Sequence, residues 1–425
     1  MHKKGGTPGR SWSGRGGLAI AALLSSVVIS GTACSSLLDV DIPGRVEAGA
    51  LDNPQLAGTL VSSALGQFDC AYAAAVATTG VLSEEYIISS YFVNANIWGW
   101  RGVEIKTEPG DCVDSENASS LGYYTPMQEA RYMAEDGMAR INTFSDADVP
   151  DKAEMLAKLA VYGAYSYALL GEGFCEMAFD AGPIMQPDAV LAMAEEKFTN
   201  ALSLAQAAGD DDLTNMALVG RARVRLDLGK LADAAADAEQ VPEGYVRVAE
   251  YSEARPRREN RVYNVTIRND FLSVGPTYRD LTVGGVADTR VPVVNTGEMG
   301  QDGVTEQWAQ QLYTSASSPI PIASWKEAQL ILAEALGGQD AKDAINRVRA
   351  ADGLPALDGS EGSDITALVL EERRRVLFSQ GQRFNDMLRH DIPFPAGTNH
   401  KGQTYGPTTC IPLPDAERLN NPNAT

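Results

Sequence analysis

The sequence predicts a mainly α fold: antiparallel helix pairs stacked into a superhelical body, with an irregular, loop-rich region carrying short strands. Three observations predict it. Small and apolar residues recur at spacings of three and four through residues 126–240 and again through 320–390. Very small residues cluster where two helices would meet closely: Ala217, Gly220 and Ala222, then Ala234, Ala235 and Ala238. The stretches 81–125 and 242–319 lose that period and gain Gly, Thr, Asn and aromatic residues.

The totals narrow the function. The 425 residues hold 56 acidic and 35 basic side chains, a net charge of -21. Nucleic-acid binding needs positive surface to release counterions from phosphates, so that class is excluded. With 44% hydrophobic residues, the chain can build one large body over 51–425.

Residues 1–33 read as a signal segment to be removed. Lys3, Lys4, Arg10 and Arg15 form a basic start, and Leu18 to Ser30 is apolar. That run is shorter than the roughly 20 residues a membrane span needs. Gly31, Thr32 and Ala33 then lead into Cys34, which resembles a bacterial lipoprotein cleavage site. Cys34 is therefore the expected lipid attachment point, and residues 34–50 an extended tether. Residues 54–80 are alanine-rich and helical. Helix restarts after Pro126, runs from Asp151 to Gly173, restarts at Pro187 and ends at Gly209. "GDDDL", Gly209 to Leu213, lacks the spacing of a calcium loop and reads as a helix start, so no metal site is expected. Residues 213–241 read as helix, tight turn at Gly229, helix, and their small-residue pattern resembles a tetratricopeptide repeat. "YVRVAEY", "RVYNVTIRN" and "RVPVVNT" predict strands. "ASWKEAQLILAEALGG" and "DAKDAINRVRAADGLP" form a second helix pair. The Pro-, Gly- and Asn-rich tail, 391–425, is expected to wrap the surface.

"EERRRVLFSQGQRFNDMLRH", Glu371 to His390, holds five arginines, but three carboxylates reduce its charge to about +2, too little for a phosphate surface. Glu372 falls among Ile365, Leu368, Val369 and Val376 at helical spacing, so it is expected to be partly buried and to need a cation. Arg383 is the expected partner, with Asp386 and Arg389 paired at i and i+3 on the next helix. The stretch then reads as a structural clasp.

Cys70, Cys112, Cys175 and Cys410 fit disulfides in an exported chain, with three pairings possible. One of them joins Cys70 to Cys112 and ties Cys410 to Cys175. Hydrolase, zinc-protease, P-loop and Rossmann signatures are missing, and no catalytic residue is assigned. Sugars stack their apolar faces on flat rings while polar groups take their hydroxyls. Tyr91, Trp98 and Trp100 with Arg101, and Tyr123 and Tyr124 before a helix, are the candidate ligand contacts.

Four C-terminal stretches in order resemble the SusD/RagB family of outer-membrane nutrient-binding lipoproteins. "WKEAQLILAEAL" carries Glu327 and Glu334. "AKDAINRVRAADGLP" carries Asn346, Val348, Arg349, Gly353, Leu354 and Pro355, with Ala351 where a second arginine is usual. "EERRRVLFSQGQRFNDMLR" matches through Glu372, Arg373, Gly381, Arg383, Asp386 and Arg389, with Val376 and Gln380 where acids are usual. "IPLPDAERLNNPN" matches through Pro412, Pro414, Glu417, Asn421 and Pro422, and "ADTRV" resembles a D-x-R element. The resemblance implies tetratricopeptide-like helix pairs and a ligand site in the irregular region. It also implies a TonB-dependent outer-membrane barrel as partner, an oligosaccharide or, less often, a peptide as cargo, and no catalysis or cofactor. The competing readings are a structural scaffold lipoprotein and a helical glycoside hydrolase.

Overall fold

A computed structural model describes residues 48–112 and 121–424. The expected signal segment, Cys34 and the tether up to residue 47 lie outside the described residues.

Helix α1 (Ala57–Leu82) is the spine. It is rich in alanine, and every residue from Gly66 to Leu82 is buried. A helix that is apolar all round belongs in a core. α1 is long and apolar enough to cross a membrane, yet here it is wrapped by the rest of the chain. After it come strand β1 (Tyr86–Ile88) and the short α2 (Val93–Gly99).

The first helical layer follows as α3 (Tyr124–Thr143), α4 (Lys152–Gly173), α5 (Pro187–Ala208), α6 (Asp211–Asp227) and α7 (Leu231–Ala238), each packed on its neighbour. Local chemistry sets the boundaries. Pro187 opens α5, and Gly209, at φ 69°, closes it in a left-handed conformation that glycine takes freely. The "GDDDL" acids start α6: the Asp210 side chain accepts from the Leu213 amide at 2.9 Å. Small residues permit the close approach expected of them. Ala217, Ala222, Ala234, Ala235 and Ala238 are buried. A Cβ added at Gly220 would lie 2.3 Å from Phe198 Cε1.

The irregular region supplies β2 (Val246–Ala249), a single turn α8 (Arg261–Tyr263), β3 (Leu272–Val274), β4 (Thr282–Val283), β5 (Val286–Ala287), β6 (Val293–Met299), β7 (Glu306–Gln310) and β8 (Ile320–Ser324). They form four two-stranded antiparallel ribbons: β1 with β3, β2 with β8, β4 with β5, β6 with β7. The expected strand in "RVYNVTIRN" is corrected: it is α8 running into a π-helical turn, Asn264–Arg268. The Asn260 side chain caps it by accepting from the Tyr263 amide at 3.1 Å, and Thr266 Oγ1 donates to the Val262 carbonyl. β8 leads directly into α9 (Trp325–Leu336), capped by Ser324, then α10 (Gly338–Ala351), α11 (Ile365–Val376), α12 (Arg383–Arg389) and a last turn α13 (Asp415–Arg418).

Two disulfides hold the ends: Cys70 with Cys112, and Cys175 with Cys410. Beside the second, the Cys175 amide donates to the Ile411 carbonyl and the Ile411 amide to the Gly173 carbonyl, both at 2.9 Å, so the tail docks along the end of α4.

The arginine-rich stretch forms α11 and α12, and its pairing corrects the expected one. Glu372 is buried but takes Arg290 (2.5 Å) and Arg349 (2.6 Å) rather than Arg383. Asp386 takes Arg373 at 2.8 Å together with Arg389 at 3.0 Å. Burial pushes the Asp386 carboxyl up, but Arg373 and Arg389 outweigh it and hold it below the usual carboxylate range. Arg389 also reaches Glu334 of α9 at 2.7 Å. The clasp joins α9, α10, α11, α12 and the Asp288–Arg290 loop, a wider set of elements than two adjoining helices.

Candidate functional site

β1 fixes where the chain leaves the core. Ile88 sits opposite Leu272, and Ser89 and Ser90 follow, both buried. Ser90 Oγ accepts from the Phe92 amide at 3.0 Å. Asn96 Nδ2 donates to the Ser90 and Phe92 carbonyls, each at 2.8 Å. This turn starts α2 and sorts its side chains: Ala95 and Trp98 go inward, while Tyr91 and Val93 stand out at 65% and 68% exposure.

Two remote segments complete an open cleft of about 390 Å³ against this turn. The first is the β6–β7 turn. The Asp302 amide donates to the Ser89 carbonyl at 2.8 Å. Gly300 lets this turn pack there, since a Cβ on it would lie 2.4 Å from Ser89 Cβ. Asp302 in turn accepts from the Val304 and Thr305 amides at 3.0 and 2.9 Å. The second segment is the tail. Lys401 Nζ donates to the Ser90 carbonyl (2.7 Å) and Asn96 Oδ1 (3.2 Å) and pairs with Asp302 Oδ2 (2.7 Å). Burial raises the Asp302 carboxyl, but Lys401 and the two amides outweigh it and lower it to about 2. Gln403, Trp100 and the exposed Val304 finish the lining.

The six expected ligand contacts separate. Tyr91 and Trp100 line the cleft. Trp98, Tyr123 and Tyr124 come together elsewhere, around an internal void of only about 10 Å³. That is at most one water and no room for a sugar ring. Trp98 is 2% exposed, and Tyr123 donates to the Leu169 carbonyl. Tyr124 donates to Glu417 at 2.8 Å, fixing the last turn of the tail; its edge also borders a separate shallow hollow beside Tyr132. Arg101 is corrected as well. Its guanidinium lies between the Phe394 and Tyr405 rings, 5.4 and 4.7 Å from their centres, and donates to the Pro395 carbonyl at 2.6 Å. It clamps the tail instead of facing a ligand.

Asp302, Lys401 and Gln403 carry no local signature: one sits in a Gly-rich turn and two in a tail of ordinary loop composition. The Asp-Gly pair at 302–303 marks a hairpin turn but not a site.

The SusD family profile matches residues 229–410. Residues 229–410 belong to the SusD family. Solved structures extend the likeness in fold to most of the chain. A SusD-like carbohydrate binding protein from Bacteroides vulgatus superimposes with a TM-score of 0.64 at 12% identity, covering 88% of this chain and 97% of that one. A SusD superfamily protein from Bacteroides fragilis gives 0.64 at 14%, covering 88% and 99%. Surface glycan-binding protein A from Bacteroides uniformis gives 0.60 at 13%, covering 87% and 99%. No curated protein sequence matches. The SusD-family segment supplies Asp302, Val304, Lys401 and Gln403 to the cleft, whereas Tyr91, Val93, Asn96 and Trp100 come from outside it.

Proposed function

We propose that this chain is a non-enzymatic lipoprotein of the outer membrane that captures an oligosaccharide at the cell surface and delivers it to a TonB-dependent barrel. The observation that carries the capture step is the cleft itself. An exposed tyrosine and a tryptophan edge stand beside Asn96 and Gln403 in an open space large enough for a few sugar rings. The SusD-family segment supports the transporter partnership, and the carbohydrate-binding relative supports the ligand class. Cys34, at the end of a signal-like segment, supports the lipid anchor.

Two experiments test it. Tyr91→Ala and Trp100→Ala should each weaken glycan binding about tenfold, ~1.4 kcal/mol, with melting temperatures little changed. Trp98→Ala should instead destabilise the fold by about 3–5 kcal/mol. Unaltered glycan affinity in both cleft variants removes the site. Detergent extraction of the anchored protein should co-purify a large β-barrel; recovery of the lipoprotein alone counts against the delivery step.

A further inference from the structure

The cleft holds two charged side chains, Asp302 and Lys401, and they are spent on each other. Lys401 has three acceptors: Asp302 Oδ2, the Ser90 carbonyl and Asn96 Oδ1. An ammonium has three protons, so none is left for a ligand. Asp302 is equally occupied, by the amides of Val304 and Thr305, by Thr305 Oγ1 at 2.8 Å and by Lys401. Arg279, in the loop between β3 and β4, lies over the Trp308 ring, donates to the Val274 carbonyl and does not line the cleft.

The groups left open are all neutral. The Tyr91 hydroxyl, the Trp100 indole N–H and the Gln403 Nε2 have no protein partner among the described residues. Gln403 uses only its carbonyl oxygen, which accepts from Asn399 at 2.9 Å. Sites that take carboxylate or sulfate present an unpaired guanidinium or ammonium. This one presents rings, a hydroxyl and an amide.

Resting on the capture reading above, we infer that the cleft selects neutral glycans and rejects uronate- and sulfate-bearing ones, and that the Asp302–Lys401 pair is the device that sets this selectivity. Asp302 cancels the one cation an acidic sugar would seek. Removing the Asp302 charge while keeping an acceptor for the two amides exposes Lys401 to the ligand.

The test is affinity electrophoresis of the full chain through gels carrying neutral polysaccharides (glucan, galactomannan, unsubstituted xylan) or acidic ones (polygalacturonate, chondroitin sulfate). The wild type should be retarded by at least one neutral polymer and by neither acidic one. Asp302→Asn should gain retention on acidic polymers of about fivefold, the ratio that ~1 kcal/mol of a partly exposed ion contact gives. The double variant with Lys401→Met should lose that gain. Retention of the wild type on acidic polymers overturns the selectivity and leaves the capture reading standing. A folded Asp302→Asn chain that gains nothing does the same. Retention on no polymer at all overturns both.

Discussion

Glu85 shows how one buried side chain ties stability to pH. It is fully buried beside β1, and one of its oxygens accepts from the Ser379 amide at 3.1 Å while Oε2 has no partner. Burial raises its carboxyl to about 7, against the pull of the Ser379 amide and of the Arg383 and Arg374 charges. A carboxyl whose folded value lies above its unfolded value of 4.5 binds more protons folded than unfolded between those limits. Stability from this group is therefore greatest below pH 4.5 and is lost as pH rises toward 7, by on the order of 3 kcal/mol. Burial likewise raises Asp69 to about 7 and Glu172 to about 8, with the same sign. Glu85→Gln isolates one contribution, because glutamine keeps the acceptor for Ser379 and cannot ionise. The variant should be more stable than the wild type at pH 8 by about 1–3 kcal/mol and no more stable at pH 4.5. Urea unfolding at both pH values measures this; a difference that does not change with pH would mean the carboxyl is already charged in the folded state.

At the scale of elements, α6 meets α5 and α4 through Gly220, which lies 2.3 Å (as an imagined Cβ) from Phe198 Cε1 and 2.9 Å from Tyr165 Cζ. Two effects oppose each other in Gly220→Ala. Helix propensity favours alanine by about 1 kcal/mol, whereas overpacking a filled core costs about 1–3 kcal/mol. Both rings are fully buried and locked edge to face at 4.9 Å, so neither can give way freely. The variant is expected to melt lower; a higher melting temperature would show that the helices slide apart without cost. These helices were legible in the sequence because spacing, caps and small residues are local signals. "RVYNVTIRN" misled because Val, Tyr, Ile and Thr favour strands, while the deciding Asn260 cap is a single side chain. The burial of Glu372 followed from its neighbours on α11, but its partners Arg290 and Arg349 lie 82 and 23 residues away and had no signal linking them. The cleft was legible by half. Aromatic density pointed to Tyr91 and Trp100, yet the same density took in Trp98, whose inward direction depends on the Ser90–Asn96 turn. Asp302 and Lys401 were invisible because only the folded hairpin and tail bring them to that turn.

For the molecule as a whole, the tail joins the far end of the chain to the cleft. Between Phe394 and Cys410 hydrogen bonds from His400, Lys401, Tyr405, Gly406 and Thr408 fix it to the body, between two stronger anchors. Arg101 grips Pro395 and Tyr405, and Cys410 is bonded to Cys175 at the end of α4. Lys401 and Gln403 lie between these anchors. The bridge closes a separation of 235 residues, against 42 for Cys70–Cys112. In the chain-entropy account the longer loop is worth about 5 kcal/mol and the shorter about 4. Both losses should lower the melting temperature, but their effects on the cleft should differ. Without Cys175–Cys410 the tail loses its covalent anchor and is held by the Arg101 clamp and by hydrogen bonds alone, among them those of Lys401, Gly406 and Thr408 and the backbone bonds to Gly173 and Cys175. Lys401 and Gln403 are then held less firmly, and restoring their order on ligand binding costs up to about 0.5–1.5 kcal/mol per side chain. Cys410→Ser and Cys175→Ser should therefore weaken glycan binding alike, by about threefold to tenfold at a temperature where both stay folded. Amide hydrogen exchange should quicken over 399–411 in both. Cys112→Ser should leave affinity and tail exchange unchanged despite its lower melting temperature. Equal loss of affinity in Cys112→Ser would mean that general stability, and not the anchored tail, governs the cleft.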